Sequence, residues 1–156
     1  WRLELAGFGG DAELIRNAAA ENPNIRWHGR IDYDSALALS RQASVLFATY
    51  DPVIPNHRYS SPNKLFEAMM LGKPVIVSRD TNMDKIVVEA ESGLVVPYGD
   101  LPALEAALLR LSTDKELCSQ LGMNARRAYE TRFSRKIMND RLLSLYADIQ
   151  EEEGQD

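Results

Sequence analysis

Short apolar runs along this chain alternate with stretches in which apolar residues recur every three or four positions. Five runs predict strands: Arg2 to Ala6, Ile25 to His28, Val45 to Thr49, Pro74 to Ser78 and Leu94 to Val96. The last three are almost wholly apolar, as expected for parallel strands covered on both faces. Helical patterns lie between them, each with its own punctuation. Asp11 is placed to cap a helix that buries Leu14, Ile15, Ala18 and Ala19, and Asn22-Pro23-Asn24 stops it. Asp34 or Ser35 starts a shorter helix carrying Leu37 and Leu39. Ser61-Pro62 offers a capping hydroxyl and then proline at the first helical position, and Gly72 stands just past that helix's end. Asp84 to Ala90 also reads as helix. Beyond the fifth strand only helices follow, capped by Asp100, by Thr113 or Asp114, and by Ser134, the last with Met138, Leu142, Leu145 and Ile149 on one face.

Strand, helix, strand repeated four times implies parallel pairing with right-handed crossovers. The expected class is α/β: a Rossmann-like parallel sheet with flanking helices and a helical C-terminal extension. At 156 residues there is enough chain for one domain with a real core, assigned here to residues 1–150, with 151–156 as a frayed acidic tail. Trp1 in place of methionine leads to the expectation that the chain is a piece of a longer protein. No targeting segment is visible and a cytoplasmic location is expected. Net charge of −5 removes the electrostatic footprint of a dedicated nucleic-acid binder. A single cysteine, Cys118, forbids an internal disulfide, and two histidines leave little to build a metal site from. Glu67 and Lys73 interrupt the best candidate for the roughly 18 apolar residues a membrane helix needs.

Ligands of such sheets bind at the carboxyl ends of the strands, which directs attention to the loops there. Gly7-Phe8-Gly9-Gly10-Asp11-Ala12 follows a strand, opens a helix and fits Gly-x-Gly-x-x-Ala. Its glycines would let a phosphate approach backbone at a helix N-terminus. The next strand, however, ends in His28-Gly29-Arg30 rather than in an acid for a ribose diol, so the motif reads as NADP binding or, more simply, as tight-turn glycine. The second stretch, Ser61 to Met69, says more. With Ser61 as cap, Lys64 is the third helical residue, a cation at the positive end of the helix dipole. Glu67 is a carboxylate among Leu65, Phe66, Ala68 and Met69. A Lys64–Glu67 salt bridge is the bland account, although it places the acid C-terminal to the base, the weaker order. The alternative is an anion on the helix N-terminus, held by Lys64 and free N–H groups, with a polyol accepted by Glu67.

Together, Ser61-Pro62-Asn63-Lys64-Leu65-Phe66-Glu67-Ala68-Met69, Gly72-Lys73-Pro74-Val75-Ile76 and Ser92-Gly93-Leu94-Val95-Val96 resemble the donor-binding, C-terminal half of GT-B glycosyltransferases of group 1 (family-4-like), over about residues 3–133. The resemblance implies a domain that binds a nucleoside-diphosphate sugar as donor substrate, without metal or other cofactor. Glu67 would hold the ribose hydroxyls, the backbone at Asn63 and Leu65 at the helix start would receive the diphosphate, and Ser61 beside them would also belong to the substrate-binding set. Lys64 would neutralise the leaving phosphate, the catalytic role. Gly9 and Gly10 would line the donor cleft, and the backbone at Arg30 and Ile31 would read the base. It also implies an N-terminal acceptor-binding domain of the same protein as partner, together with a strand and helix preceding Trp1. One departure is clear. Many members carry a second glutamate eight positions before this one, where Tyr59 stands here, with Asp51 a conceivable substitute. Rival readings are a sugar-nucleotide epimerase of the same fold, an NADP-binding oxidoreductase domain, and a binding module without catalysis.

Lesser signals are weighed against plainer accounts. The basic residues of Arg126 to Lys136 would suit an anionic membrane surface, but a solvated helix junction is the simpler reading. Cys118 reads as a small core residue, and His57 as a loop residue near the Ser61 segment.

Overall fold

The computed structural model describes residues 1–153. The chain forms two compact units, the first Trp1–Ala43 and the second from Ser44 onward. In the first, β1 (Leu3–Leu5), α1 (Ala12–Glu21), β2 (Ile25–Trp27) and α2 (Tyr33–Gln42) follow one another, and β1 pairs with β2 in parallel, Leu3 opposite Ile25. The second unit holds β3 (Leu46–Ala48), α3 (Pro55–Tyr59), α4 (Asn63–Met70), β4 (Val75–Ser78), α5 (Asn82–Glu89), β5 (Gly93–Val96), α6 (Leu101–Thr113) and α7 (Lys115–Ala128). A π-helical turn (Tyr129–Phe133) then leads into α8 (Arg135–Glu153). Its strands pair in the order β3-β4-β5, all parallel. The α/β class and the parallel pairing match expectation; the pairing forms two sheets, one in each unit.

The core of the second unit follows from β4, whose four residues are all buried. Alternation sends Val75 and Val77 to one face, with Leu65, Ala68 and Met69 of α4, Met83 and Val87 of α5, and Ala125 and Ala128 of α7. Ile76 faces the other way, with Val96, Ala107, Leu111 and Leu121. Gly93 lies opposite Val75, where a Cβ would stand 1.9 Å from the Val75 carbonyl oxygen, so only glycine lets β5 enter this register.

Several helix boundaries differ from the sequence reading. Asp32, not Asp34 or Ser35, caps α2: its Oδ1 accepts the Ser35 N–H and its Oδ2 the Ser35 hydroxyl, both at 2.8 Å. The Asp11 side chain makes no cap, and Leu14 stands exposed while Ile15, Ala18 and Ala19 are half-buried. Asp100, Asp114 and Ser134 do cap, accepting from the N–H of Ala103, Leu117 and Ile137. After α4, the Gly72 N–H bonds the Met69 carbonyl and the Lys73 N–H that of Ala68, with Gly72 at φ +63°, a Schellman ending. Met138, Leu142, Leu145 and Ile149 of α8 are exposed. Of the expected frayed tail, Glu151 to Glu153 continue α8 and 154–156 lie outside the described residues.

Candidate functional site

The start of α4 is the centre of the candidate site. It falls one residue later than the sequence suggested: Pro62 is the N-cap at φ −68° and ψ 148°, and no side chain caps the helix. Ser61 is therefore outside it, exposed, and Lys64 becomes the second helical residue. Proline has no N–H, and its extended ψ turns the chain into the helix without a hydroxyl cap. The Leu65 N–H bonds the Pro62 carbonyl at 3.0 Å, so of the two backbone donors expected to receive a diphosphate, one is already engaged. Asn63 and Lys64 are exposed, Leu65 is fully buried and Glu67 is half-buried.

Packing explains why Glu67 can stand where it does. Leu65, Ala68 and Met69 fill the core beneath α4, and Phe66 meets Phe133 of the π-helical turn with ring centroids 5.3 Å apart. This leaves Glu67 on the flank between core and solvent. The bland account fails on geometry: Lys64 and Glu67 form no ion pair with each other, and neither has one with any other described residue. The helix thus keeps a cation at its positive end with no counter-charge from any described residue.

The loop before α4 is more ordered than expected. It contains α3, missed because five residues are too few to show a period. Pro55 at the first turn was the available signal. His57 stacks on Tyr50 with centroids 5.1 Å apart, and its Nδ1 is buried with no partner. Pro52, Val53, Pro55, Arg58, Tyr59 and Asp80 line a cleft of about 490 Å³. Asp80 adopts φ +61° in the loop after β4, its N–H bonded to Asp84 Oδ2. None of the residues expected from sequence lines this cleft, yet Tyr59, which stands in place of an acid, does. Asp51, the suggested substitute, spends Oδ1 on the Val53 N–H at 2.9 Å.

Gly9, Gly10, Arg30 and Ile31 lie in the first unit. Gly7 and Gly9 take φ of +156° and +148°, and a Cβ at Gly7, Gly9 or Gly10 would meet nothing within 4 Å. The Gly7 N–H bonds the Gly29 carbonyl at 2.8 Å, which sets the Arg30 guanidinium 4.6 Å from the centroid of the exposed Phe8 ring. Ile31 is half-buried. His28 serves the framework: its Nε2 lies 2.5 Å from Glu4 Oε2, and this hydrogen bond holds the Glu4 carboxyl below its usual range. Bonds to the Ser35 N–H and hydroxyl lower Asp32 likewise.

Among the described residues no group of three His, Cys, Asp or Glu is placed to hold a metal ion. No helix among them is long and apolar enough to cross a membrane.

A parallel α/β framework with a lysine-bearing helix start beyond the carboxyl end of a strand offers an electropositive site of the kind that suits an anion. Residues 1–114 match the family described as "Glycosyl transferases group 1", and the chain belongs to that family. It is 35% identical over 103 residues to "Capsular polysaccharide biosynthesis glycosyltransferase CapM" of Staphylococcus aureus, 65% of this chain and 27% of that protein. It is 34% identical over 147 residues to "Lipopolysaccharide core biosynthesis glycosyltransferase LpsD" of Rhizobium meliloti, 92% of this chain and 40% of that protein. The chain therefore spans well under half the length of these relatives. In fold it is similar to the structure titled "Crystal structure of Anabaena Alr3699/HepE in complex with UDP", with a TM-score of 0.76 and 15% identity, over 94% of this chain and 41% of that one. Neither the epimerase nor the NADP reading gains support from these comparisons.

Proposed function

We propose that this chain is the nucleotide-sugar-binding part of a glycosyltransferase that moves a sugar from a nucleoside-diphosphate donor to an acceptor held by an N-terminal domain of the same protein. The observation that carries the reading is α4: an uncapped N-terminus, Lys64 at its second residue and half-buried Glu67 one turn on, neither with an ion-pair partner among the described residues. An incoming diphosphate would be met by the helix dipole, the free N–H groups and the Lys64 ammonium. Those same groups stabilise the charge that grows on the departing nucleoside diphosphate, so catalysis needs no metal ion on this reading. Glu67, too far along to crowd the phosphates, accepts two hydrogen bonds from the ribose diol. The family supports the reaction class, and a structural neighbour described in complex with UDP supports the ligand class. A cytoplasmic location belongs to the same reading and fits a chain whose lone Cys118 allows no internal disulfide.

Calorimetry with UDP and 2′-deoxy-UDP tests the division of labour. Glu67→Gln should weaken UDP by about 1.5–3 kcal/mol and the deoxy ligand much less, since that ligand has already lost one bond. Lys64→Ala should weaken both ligands alike, and a diphosphate more than a nucleoside. Unchanged UDP affinity in Glu67→Gln with a merely lower Tm would make Glu67 structural and end the assignment.

A further inference from the structure

The second unit holds another cleft of about 490 Å³, at the end of the sheet away from α4's start. Ser44 precedes β3 and Lys73 precedes β4, so this is the amino end of the strands; α4 begins beyond the carboxyl end of β3. One wall is a single face of α7, where Lys115, Ser119 and Arg126 share the cleft at helical spacing; Lys73 and Ser44 form the other. The walls meet because two glycines allow it. A Cβ on Gly122 would stand 2.5 Å from the Gly72 carbonyl oxygen.

The charge of this cleft is unusual for a chain of net −5. Three cations line it and no carboxylate does. Lys73 and Lys115 have no ion-pair partner among the described residues. Arg126 is fixed in place: Nε lies 2.6 Å from Glu130 Oε1 and an Nη donates to the Met70 carbonyl. Lys115 is also the first residue of α7, so its ammonium opposes the positive end of that helix's dipole. Two ammonium groups, a guanidinium and two hydroxyls are donors suited to an anion with several oxygens. The cleft is open to solvent, and its volume exceeds what a bare ion fills.

We propose that this cleft binds a phosphate ester, with Lys73 and Lys115 holding the phosphate and the Gly72–Gly122 contact forming the floor. The ester is either a soluble metabolite or a lipid headgroup, and glycerol 3-phosphate represents the chemistry common to both.

Calorimetry with glycerol 3-phosphate should show saturable binding that weakens with added NaCl. The K73Q/K115Q double variant, both residues lying outside the core, should bind about tenfold more weakly or worse. Ser119→Trp, which fills the cleft without changing charge, should weaken it too, while Lys64→Ala at the other end of the sheet should not. Co-sedimentation with vesicles of 70% phosphatidylcholine and 30% phosphatidylglycerol separates the sources. Vesicle binding lost in K73Q/K115Q assigns the headgroup, and no vesicle binding beside intact glycerol 3-phosphate binding assigns the soluble ester. Absence of saturable binding to both probes, or binding that K73Q/K115Q and Ser119→Trp leave unchanged, overturns the proposal.

Discussion

The two units are written in the same alternating pattern and bury their residues very differently. In the first, two three-residue strands and two ten-residue helices contain no fully buried residue. In the second, β4 is wholly buried, and strands and helices together form two core clusters of ten and five buried residues, seven and three of them helical. Pattern sets the element; burial on both faces sets its stability. The second unit should therefore carry most of the free energy of folding, and the first should open more readily.

The sharpest way to break this contrast is with glycine. Gly93→Ala puts a methyl 1.9 Å from the Val75 carbonyl oxygen and must pull β5 from β4, an expected loss of about 3–5 kcal/mol by urea denaturation. Gly10→Ala in the first unit meets nothing within 4 Å and should stay within about 0.5 kcal/mol. Equal losses would show that the first unit is as tightly built as the second and remove the contrast. Side-chain truncation gives a somewhat smaller contrast. Met69→Ala empties a fully buried position and should cost about 2–4 kcal/mol, whereas Leu14→Ala, at 70% exposure, should cost under about 0.5 kcal/mol. Thermal unfolding of the pair checks it.

The smallest expected effect is a pH dependence confined to the first unit. The His28 hydrogen bond lowers the Glu4 carboxyl below its unfolded value of 4.5. Its contribution is complete above about pH 4.5 and is lost as pH falls through the lower folded value. Wild type should be slightly more stable than Glu4→Gln near neutral pH, and the gap should close in acid. A gap that widens on acidification would reverse the sign and remove this link between β1 and the residue that follows β2.

The candidate site was legible to the degree that its cause was local. Lys64 and Glu67 stood out because a cation near a helix start and a carboxylate in an apolar helix conflict with short-range rules, and neither has an ion-pair partner among the described residues. Ser61 was read as a cap because a hydroxyl before proline is a strong local signal. The chain instead enters α4 from Pro62 in an extended conformation, a choice of backbone direction that no neighbouring residue type announces. The cap of α2 was missed for a related reason: Asp32, Asp34 and Ser35 all qualify, and only the backbone path decides that Asp32 accepts from Ser35. Cys118, read as core, is half-buried in the basic cleft, because the close approach of Gly72 to Gly122 fixes which part of α7 is covered.

By itself, then, the sequence determined the strands, most of the helices, the caps at Asp100, Asp114 and Ser134, and the Gly72 ending, since each depends on residues within a few positions of one another. Tertiary structure decided which apolar positions are buried. Leu14 and the stripe from Met138 to Ile149 have the same period as Leu65 and Met69, yet only the latter find a partner face. It also decided the split into two parallel sheets and the place of α3. The collection of Lys73, Lys115 and Arg126 at one cleft belongs here too, because residues as far apart as 73 and 126 meet only when β4 and α7 pack. Local preference acts over one or two turns of chain, while burial and electrostatic fields act across space, and only the folded chain converts one into the other.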